Sequence, residues 1–205
     1  MSEHIIVTGT GRAGTTFLMQ LFTALGLDTG YKSTSEQIDH VSHAGMESFF
    51  RFPDNAPLIV KSPWLCDTLA EDLASNLNLK ILHAIVPIRN LYDAAESRRR
   101  VQELSGGTND VWGGLWLTDN PQSQESILQR QLYRLLETLA ANEIPVTLLS
   151  FPAFVTDCES TMRVLRRVPR LLDSISDDIF RDAFFLTSRP ELVHFQHSEK
   201  RPPCV

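Results

Sequence analysis

A chain of 205 residues is long enough to bury about 70% of the surface that it exposes when unfolded, so we expect residues 1–205 to form one domain. Its formal net charge of −6 argues against a general nucleic-acid surface, and its apolar stretches are shorter than the ~18 residues of a membrane span. The segment "MSEHIIVTG" has neither the basic start nor the long apolar core of an export signal. These features favour a cytoplasmic enzyme or binding domain without a nucleic-acid or membrane partner.

Short apolar runs alternate along the chain with amphipathic stretches. Runs with the length and composition of buried parallel strands occur at 4–7, 58–60, 81–88 and 146–151. Helical periodicity is found at 15–25, 66–76, 90–103, 123–141, 157–167 and 176–185. Because strands and helices alternate, the pattern predicts an α/β fold, a three-layer α/β/α sandwich with a parallel sheet. We expect the tail at about 197–205 to be poorly ordered.

The segment "VTGTGRAGTTFL", residues 7–18, has the glycine spacing of a phosphate-binding loop. Gly9 and Gly14 are followed by Thr15 and Thr16, so the segment fits G-x-x-x-x-G-K-[ST] except that threonine replaces the lysine. The loop follows a predicted strand and opens a predicted helix, which directs backbone N–H groups and the positive end of the helix dipole at an anion. The alternative is a glycine turn that only packs closely against the sheet.

Two predicted strands end in cations. "LIVKSP" ends in Lys61 and "ILHAIVPIRN" in Arg89, where a magnesium site would need carboxylates. A pocket with Arg12, Lys61 and Arg89 around the glycine loop suits an anion that is neutralised by protein groups. We therefore expect no metal, and a sulfuryl group, less charged than a terminal phosphoryl group, fits such a pocket.

Arg89 also forms part of a second pattern, because Ser97 follows it by eight residues on the next predicted helix. Helical side chains lean toward the N-terminus of their helix, so both side chains can reach one phosphate. The alternatives are an ion pair at the sheet edge for Arg89 and a helix-surface position for Ser97.

With these motifs, residues 4–165 resemble the sulfotransferase superfamily that uses 3'-phosphoadenosine 5'-phosphosulfate (PAPS), and its bacterial members most closely. The resemblance implies a P-loop NTPase-like fold and transfer of a sulfuryl group from PAPS to a hydroxyl or amine of a small molecule or saccharide. It implies that the 3'-phosphate is bound by Arg89 and Ser97 and that Lys61, in "IVKSPWL", faces the transferred group. It assigns the 5'-phosphosulfate to the loop residues Gly11, Arg12, Ala13, Gly14, Thr15 and Thr16.

The chain departs from the cytosolic branch of this family in two places. Pro63 stands where that branch has a base histidine, and a segment like K-x-G-x-x-G-D-W is absent from the C-terminal part of the sequence. Other branches use a carboxylate after the first helix, which predicts Glu36 as the base, with Arg12 and Lys61 as the other catalytic residues. The alternative for Glu36 is a solvated loop position, and the polar residues near it in the sequence are Asp39, His40 and Glu47.

The stretch 104–121 combines four glycines with Trp112 and Trp116 and lacks periodicity, which predicts a lid over the site. The two tryptophans suit stacking on adenine or on an apolar acceptor, or else belong to the core. In the run Arg98–Arg100 we expect one side chain to face the site and the others to be solvated.

Two other functions share this scaffold. A small-molecule or nucleotide kinase would bind Mg-ATP, although the threonine at the lysine position disfavours it. A non-catalytic relative would bind the nucleotide without turning it over.

Overall fold

The structure is a computed structural model, and it describes residues 2–50, 56–76, 78–106 and 111–193. The strands are β1 (Ser2–Val7), β2 (Ile59–Lys61), β3 (Leu79–Ile88) and β4 (Val146–Ser150). The α-helices are α1 (Thr15–Ala24), α2 (Leu65–Ser75), α3 (Leu91–Leu104), α4 (Gln124–Ala141), α5 (Ala153–Thr156), α6 (Cys158–Leu165) and α7 (Asp177–Thr187). Short 3₁₀ helices span Pro121–Ser123 and Pro190–Leu192.

The four strands form one parallel sheet in the order β2-β1-β3-β4. Val7, at the end of β1, is in register with Lys61 of β2 and with Ile85 of β3. The carboxyl ends of the strands therefore lie at one edge of the sheet, together with the glycine loop that follows β1. Ligands of open parallel α/β sheets bind at this edge.

Helices cover both faces of the sheet because strand residues point alternately to its two sides. Ile5 and Val7 belong to a buried cluster that includes residues of α1, α6 and α7. Ile6 and Val60 point the other way, into a second buried cluster with residues of α2 and α4. The α/β/α sandwich with a parallel sheet is thus confirmed.

The elements differ from the sequence prediction mainly at their ends. The second strand was predicted at 58–60, whereas β2 ends at Lys61. The first was predicted at 4–7, whereas β1 begins at Ser2. Helix α5 was not predicted, because four residues are too few to show helical periodicity. The expected tail at 197–205 lies outside the described residues, as do residues 107–110 of the expected lid. No helix in the described ranges is both long enough and apolar enough to cross a membrane.

Candidate active site

The loop between β1 and α1 presents a series of backbone N–H groups. Gly11 and Gly14 adopt left-handed conformations, with φ of 69° and 82°, and so does Arg12, with φ of 54°. Gly14 is the N-cap of α1, and no side chain caps the helix. Within the described part of the chain, the N–H groups of residues 11–16 donate no hydrogen bond to a protein acceptor. These groups are available to an anion at the positive end of the helix dipole.

Two of the loop glycines are required by their surroundings. A Cβ atom on Gly11 would lie 2.7 Å from Nη2 of Arg98. A Cβ atom on Gly14 would lie 2.8 Å from the ring of Phe154 and 2.9 Å from that of Phe151. Real Cβ atoms do not approach other atoms so closely, so the loop can pass between α3 and the segment after β4 only as glycine.

A cavity of about 1360 Å³ opens beside this loop. Most residues that the sequence assigns to the site line it together, namely Gly11, Arg12, Gly14, Thr15, Thr16, Lys61, Arg89 and Ser97. Ala13 and Glu36 do not line it. Ala13 is a fully buried residue of the loop, and Oε2 of Glu36 accepts a hydrogen bond of 2.9 Å from the backbone N–H of Lys32. The assigned role of each residue stays a prediction.

Arg12 connects the glycine loop to Arg89 and Ser97. Its Nε donates to Oγ of Ser97 at 3.0 Å, and its Nη1 donates to the carbonyl of Ser42. Nη1 of Arg89 donates to the carbonyl of Arg12 at 2.8 Å. The guanidinium carbon of Arg89 also lies 4.9 Å from the centre of the Phe151 ring, a cation–π contact. The glycine loop and the Arg89–Ser97 pair therefore form one continuous cationic site.

Burial and nearby charges lower the pKa values of these arginines. Burial, helped by the positive charge of Arg89, lowers the pKa of Arg12 to about 10. Burial also lowers the pKa of Arg89, against the opposing effect of Asp93. Cations held close together in this way are stabilised by an anion placed between them.

Lys61 forms a buried ion pair with Glu47 at the end of β2. Its Nζ lies 2.5 Å from Oε1 of Glu47, and the two side chains are only 2% and 5% exposed. Nζ also donates to the carbonyl of Gly45 at 2.7 Å and to Oγ1 of Thr16 at 3.4 Å. Burial lowers the pKa of Lys61, although Glu47 opposes this effect. Lys61 thereby links the start of α1 to the segment before β2.

The two oxygens of the Glu47 carboxylate differ in their surroundings. Oε2 is buried without a hydrogen-bond partner among the described residues, and Glu47 lines the cavity. A buried carboxylate oxygen without a partner is costly, so a hydrogen bond or a proton would stabilise it. Sequence reasoning noted Glu47 only as a neighbour of Glu36. Its pairing with Lys61 has no signal in sequence spacing.

Arg98 joins the glycine loop to the segment 111–116. Its Nη2 donates to the carbonyl of Thr10 at 2.6 Å and its Nη1 to that of Gly114 at 2.7 Å. The guanidinium carbon lies 5.0 Å from the centre of the Trp116 ring. Burial, with repulsion from Arg12, lowers the pKa of Arg98 to about 9.

The expectation that one arginine of the run faces the site needs one correction. Arg98 and Arg100 both line the cavity, Arg100 with an exposed side chain. Arg99 is held instead by Glu96 and Glu125. The signal for Arg98 was its spacing from the buried residues Ala94 and Val101, which puts it on the buried face of α3.

Three tryptophans line the cavity, and these are all the tryptophans in the chain. Trp64 is 38% exposed and Trp112 is 50% exposed, so neither belongs to the core. The ring centroids of Trp64 and Trp116 are 5.1 Å apart with the rings inclined at 45°, and the ring centroid of Phe49 lies 5.7 Å from that of Trp64. Trp64 was not anticipated from the sequence.

The fold is similar to that of a solved sulfotransferase domain from the curacin biosynthetic pathway. The two share 15% sequence identity with a TM-score of 0.52 over 89% of this chain and 78% of that domain. At this identity the likeness concerns the fold alone. No protein-family model matches the chain, and no curated protein matches its sequence.

Proposed function

We propose that the protein is a sulfotransferase that moves a sulfuryl group from PAPS to a hydroxyl or amine of an acceptor. The observation that carries the proposal is the cation-lined cavity at the carboxyl ends of β1, β2 and β3. There Gly11, Gly14, Thr15 and Thr16, whose N–H groups donate to no acceptor among the described residues, line the same cavity as Arg12, Lys61 and Arg89. The similarity of the fold to a sulfotransferase domain supports the same conclusion.

The residues present fit a donor with two separate anionic groups. Arg89, Arg12 and Ser97 offer guanidinium and hydroxyl donors for the 3'-phosphate. The loop N–H groups, with Lys61, suit the 5'-phosphosulfate. The cavity of about 1360 Å³ exceeds the roughly 300–1,000 Å³ of a pocket for one small ligand, so it has room for the acceptor as well.

The donor supplies an activated sulfuryl group, and the chain supplies its positioning, charge stabilisation and a base. Lys61 is held by Glu47, Gly45 and Thr16, so its ammonium group is fixed where it can stabilise developing charge on oxygen. We assign the role of base to Glu47, which lines the cavity; its Oε2 has no partner among the described residues and is buried, so the acceptor must uncover this oxygen as it binds. Glu47 therefore replaces Glu36 as our candidate base, because Glu47 lines the cavity and Glu36 does not.

Release of 3'-phosphoadenosine 5'-phosphate from PAPS tests the proposal. We expect release to require an acceptor and to be slowed by about 10² to 10⁴ in Glu47→Gln, which keeps the shape of the side chain but cannot take the proton. Binding of the nucleotide without acceptor-dependent release across alcohols, phenols, amines and saccharides would instead indicate a non-catalytic relative.

A further inference from the structure

Two cations of the cavity bind backbone carbonyl groups of the same loop, residues 38–45. Nη1 of Arg12 donates to the carbonyl of Ser42, and Nζ of Lys61 donates to that of Gly45 at 2.7 Å. Arg12 lies in the glycine loop and Lys61 at the end of β2, so the two cations come from different parts of the chain. One short loop therefore contacts both of them.

The loop 38–45 closes on itself through its backbone. Its two ends form an isolated antiparallel bridge, and the N–H of Asp39 donates to the carbonyl of Ala44 at 2.8 Å. A Cβ atom on Gly45 would lie 1.9 Å from the carbonyl oxygen of Gln37, so this closure requires glycine. The two carbonyl groups that meet the cations are thus held within one compact loop.

Asp39 holds the Ser42 end of this loop. Its Oδ1 accepts hydrogen bonds from the N–H of Val41 at 3.1 Å and from the N–H and the hydroxyl of Ser42 at 2.7 Å each. These bonds, above all the one from the N–H of Ser42, lower the pKa of Asp39, so its carboxylate is charged at neutral pH. Ser42 is fully buried, and Asp39 binds both of its donors. The carbonyl of Ser42 therefore has little freedom to turn away from Arg12.

The guanidinium group of Arg12 depends on this carbonyl for its position. In the described part of the chain, its side chain donates to two protein groups only, the carbonyl of Ser42 and Oγ of Ser97. A Cβ atom on Gly113 would lie 3.1 Å from Nη1 of Arg12 and 3.0 Å from Cβ of Ser42, so the chain around Gly113 packs against this contact. Since an arginine side chain has many rotamers when it is free, loss of the Ser42 contact would let Arg12 leave its present position.

The loop 38–45 also forms part of the cavity wall. The residues of the loop that line the cavity are Ile38, Val41, Ser42, His43 and Ala44. Asp39 does not line it, and its side-chain hydrogen bonds stay within the loop. The residue that fixes the loop is therefore distinct from the residues that face a ligand.

We propose that Asp39 is a positioning residue, which acts through Ser42 to hold the guanidinium group of Arg12 where the anionic groups of the donor bind. This inference rests on the proposed function, because it concerns a cation that we assign to the donor. Asp39 fixes the N–H and the hydroxyl of Ser42, and the carbonyl of Ser42 fixes Arg12. A cation that is already in position needs no reorganisation when the anion arrives, which increases its contribution to binding and to charge stabilisation.

Asp39→Ala and Asp39→Asn together test the proposal. Asparagine keeps an oxygen that can accept the same hydrogen bonds, whereas alanine has none. We expect Asp39→Ala to weaken binding of 3'-phosphoadenosine 5'-phosphate, measured by calorimetry, by about tenfold, and to lower kcat for its release from PAPS by about tenfold or more. Asp39→Asn should stay within about threefold of the wild type in both quantities.

The comparison of these two variants separates geometry from charge. The negative charge of Asp39 raises the pKa of Arg12, against the effect of burial, and asparagine removes that charge while it keeps the hydrogen bonds. Equal losses in Asp39→Asn and Asp39→Ala would show that the charge acts, and would overturn the positioning role.

Asp157→Ala is the matched control for stability. Oδ1 of Asp157 accepts a hydrogen bond of 2.9 Å from the N–H of Ser160 at the start of α6, and Asp157 does not line the cavity. Loss of this cap should lower the free energy of unfolding but leave nucleotide affinity and kcat unchanged. If Asp157→Ala weakened nucleotide binding as much as Asp39→Ala does, general destabilisation would explain both results, and the proposal would fail.

A double-mutant cycle locates the route of action. If Asp39 acts through Arg12, Asp39→Ala should change nucleotide affinity less than about twofold in a protein that already carries Arg12→Ala. Additive effects of the two changes would contradict the proposed route. Should Asp39→Ala fail to fold, Ser42→Ala takes its place, since it removes the hydroxyl that bonds with Asp39 and with the N–H of Ala44. Unchanged nucleotide affinity in Ser42→Ala would then refute the proposal.

The calorimetry also separates this inference from the proposed function. Failure of 3'-phosphoadenosine 5'-phosphate to bind the wild-type protein would overturn both. Normal binding and acceptor-dependent turnover in the wild type, with both quantities unchanged in Asp39→Ala, would overturn the role of Asp39 alone.

Discussion

Lys61 and Glu47 form a buried ion pair, with Nζ 2.5 Å from Oε1, and the pair lies in the wall of the cation-lined cavity. The same carboxylate keeps Oε2 without a partner among the described residues. The pair thus combines a fixed positive charge with a carboxylate, the two groups that the proposed transfer to a hydroxyl would use.

Glu47→Gln tests the base. We expect kcat to fall by about 10² to 10⁴, the usual contribution of a general base, while nucleotide affinity stays within about twofold. Steady-state release of 3'-phosphoadenosine 5'-phosphate and calorimetry of the same sample measure the two quantities. Glu36→Gln is the matched control, because Glu36 was the base expected from sequence and does not line the cavity. A large loss of kcat in Glu36→Gln, with Glu47→Gln active, would reverse the assignment.

Arg89→Ala tests the 3'-phosphate site. A charge-assisted hydrogen bond contributes about 1.5–3 kcal/mol, so we expect affinity for 3'-phosphoadenosine 5'-phosphate to fall about 10- to 100-fold. Adenosine 5'-phosphate lacks the 3'-phosphate, and its affinity should change little. Equal weakening of both nucleotides would show that Arg89 acts through its bond to the carbonyl of Arg12, not through the 3'-phosphate. Arg130→Ala, at an exposed position on α4, controls for loss of charge.

Gly14→Ala and Gly26→Ala form a matched pair. Both glycines have positive φ, 82° and 72°, but a Cβ atom on Gly26 would meet nothing within 4 Å. We expect Gly26→Ala to lower the free energy of unfolding by about 1–2 kcal/mol, the cost of the left-handed conformation. Gly14→Ala should cost more, because its Cβ atom would meet the rings of Phe151 and Phe154, and should abolish nucleotide binding. Chemical denaturation measures the free energy of unfolding, and calorimetry measures nucleotide binding. An equal loss of unfolding free energy in the two variants would contradict the expected clash of the Gly14 Cβ atom with the two rings.

The charge on Lys61 predicts the alkaline limb of the pH profile. Burial lowers the pKa of Lys61, so the ammonium group loses its proton at a lower pH than an ordinary lysine, and kcat/KM should fall as the pH rises through that value. The negative charge of Glu47 opposes the shift, so the residual activity of Glu47→Gln should fall at a still lower pH. An alkaline limb that moves to higher pH in this variant would contradict the role of the pair.

Local patterns carried most of what could be predicted from the sequence. The glycine loop, the cations at the strand ends and the Arg89–Ser97 spacing each depend on residues within a few positions of one another. Such patterns report the backbone conformation directly. For this reason the parallel sheet and the residues around the loop were predicted close to where the structure has them.

The position of Glu47 and the contact between Trp64 and Trp116 depend on tertiary packing that no local sequence pattern encodes. Glu47 lies in an irregular segment whose path is fixed by the bonds between Ser48 and Lys61. Trp64 meets Trp116 across 52 residues of sequence, through the packing of two segments without periodicity. Tertiary packing, not propensity, decides where such residues lie.

Calorimetric titration of the wild-type protein with 3'-phosphoadenosine 5'-phosphate, Mg-ATP and Mg-GTP tests the central claim most directly. If the cavity binds a donor that carries a 3'-phosphate and needs no metal, the first nucleotide binds at least about tenfold more tightly than the other two, and chelation of divalent cations leaves its affinity unchanged. Tight binding of Mg-ATP or Mg-GTP with weak binding of 3'-phosphoadenosine 5'-phosphate would contradict the claim and indicate a kinase.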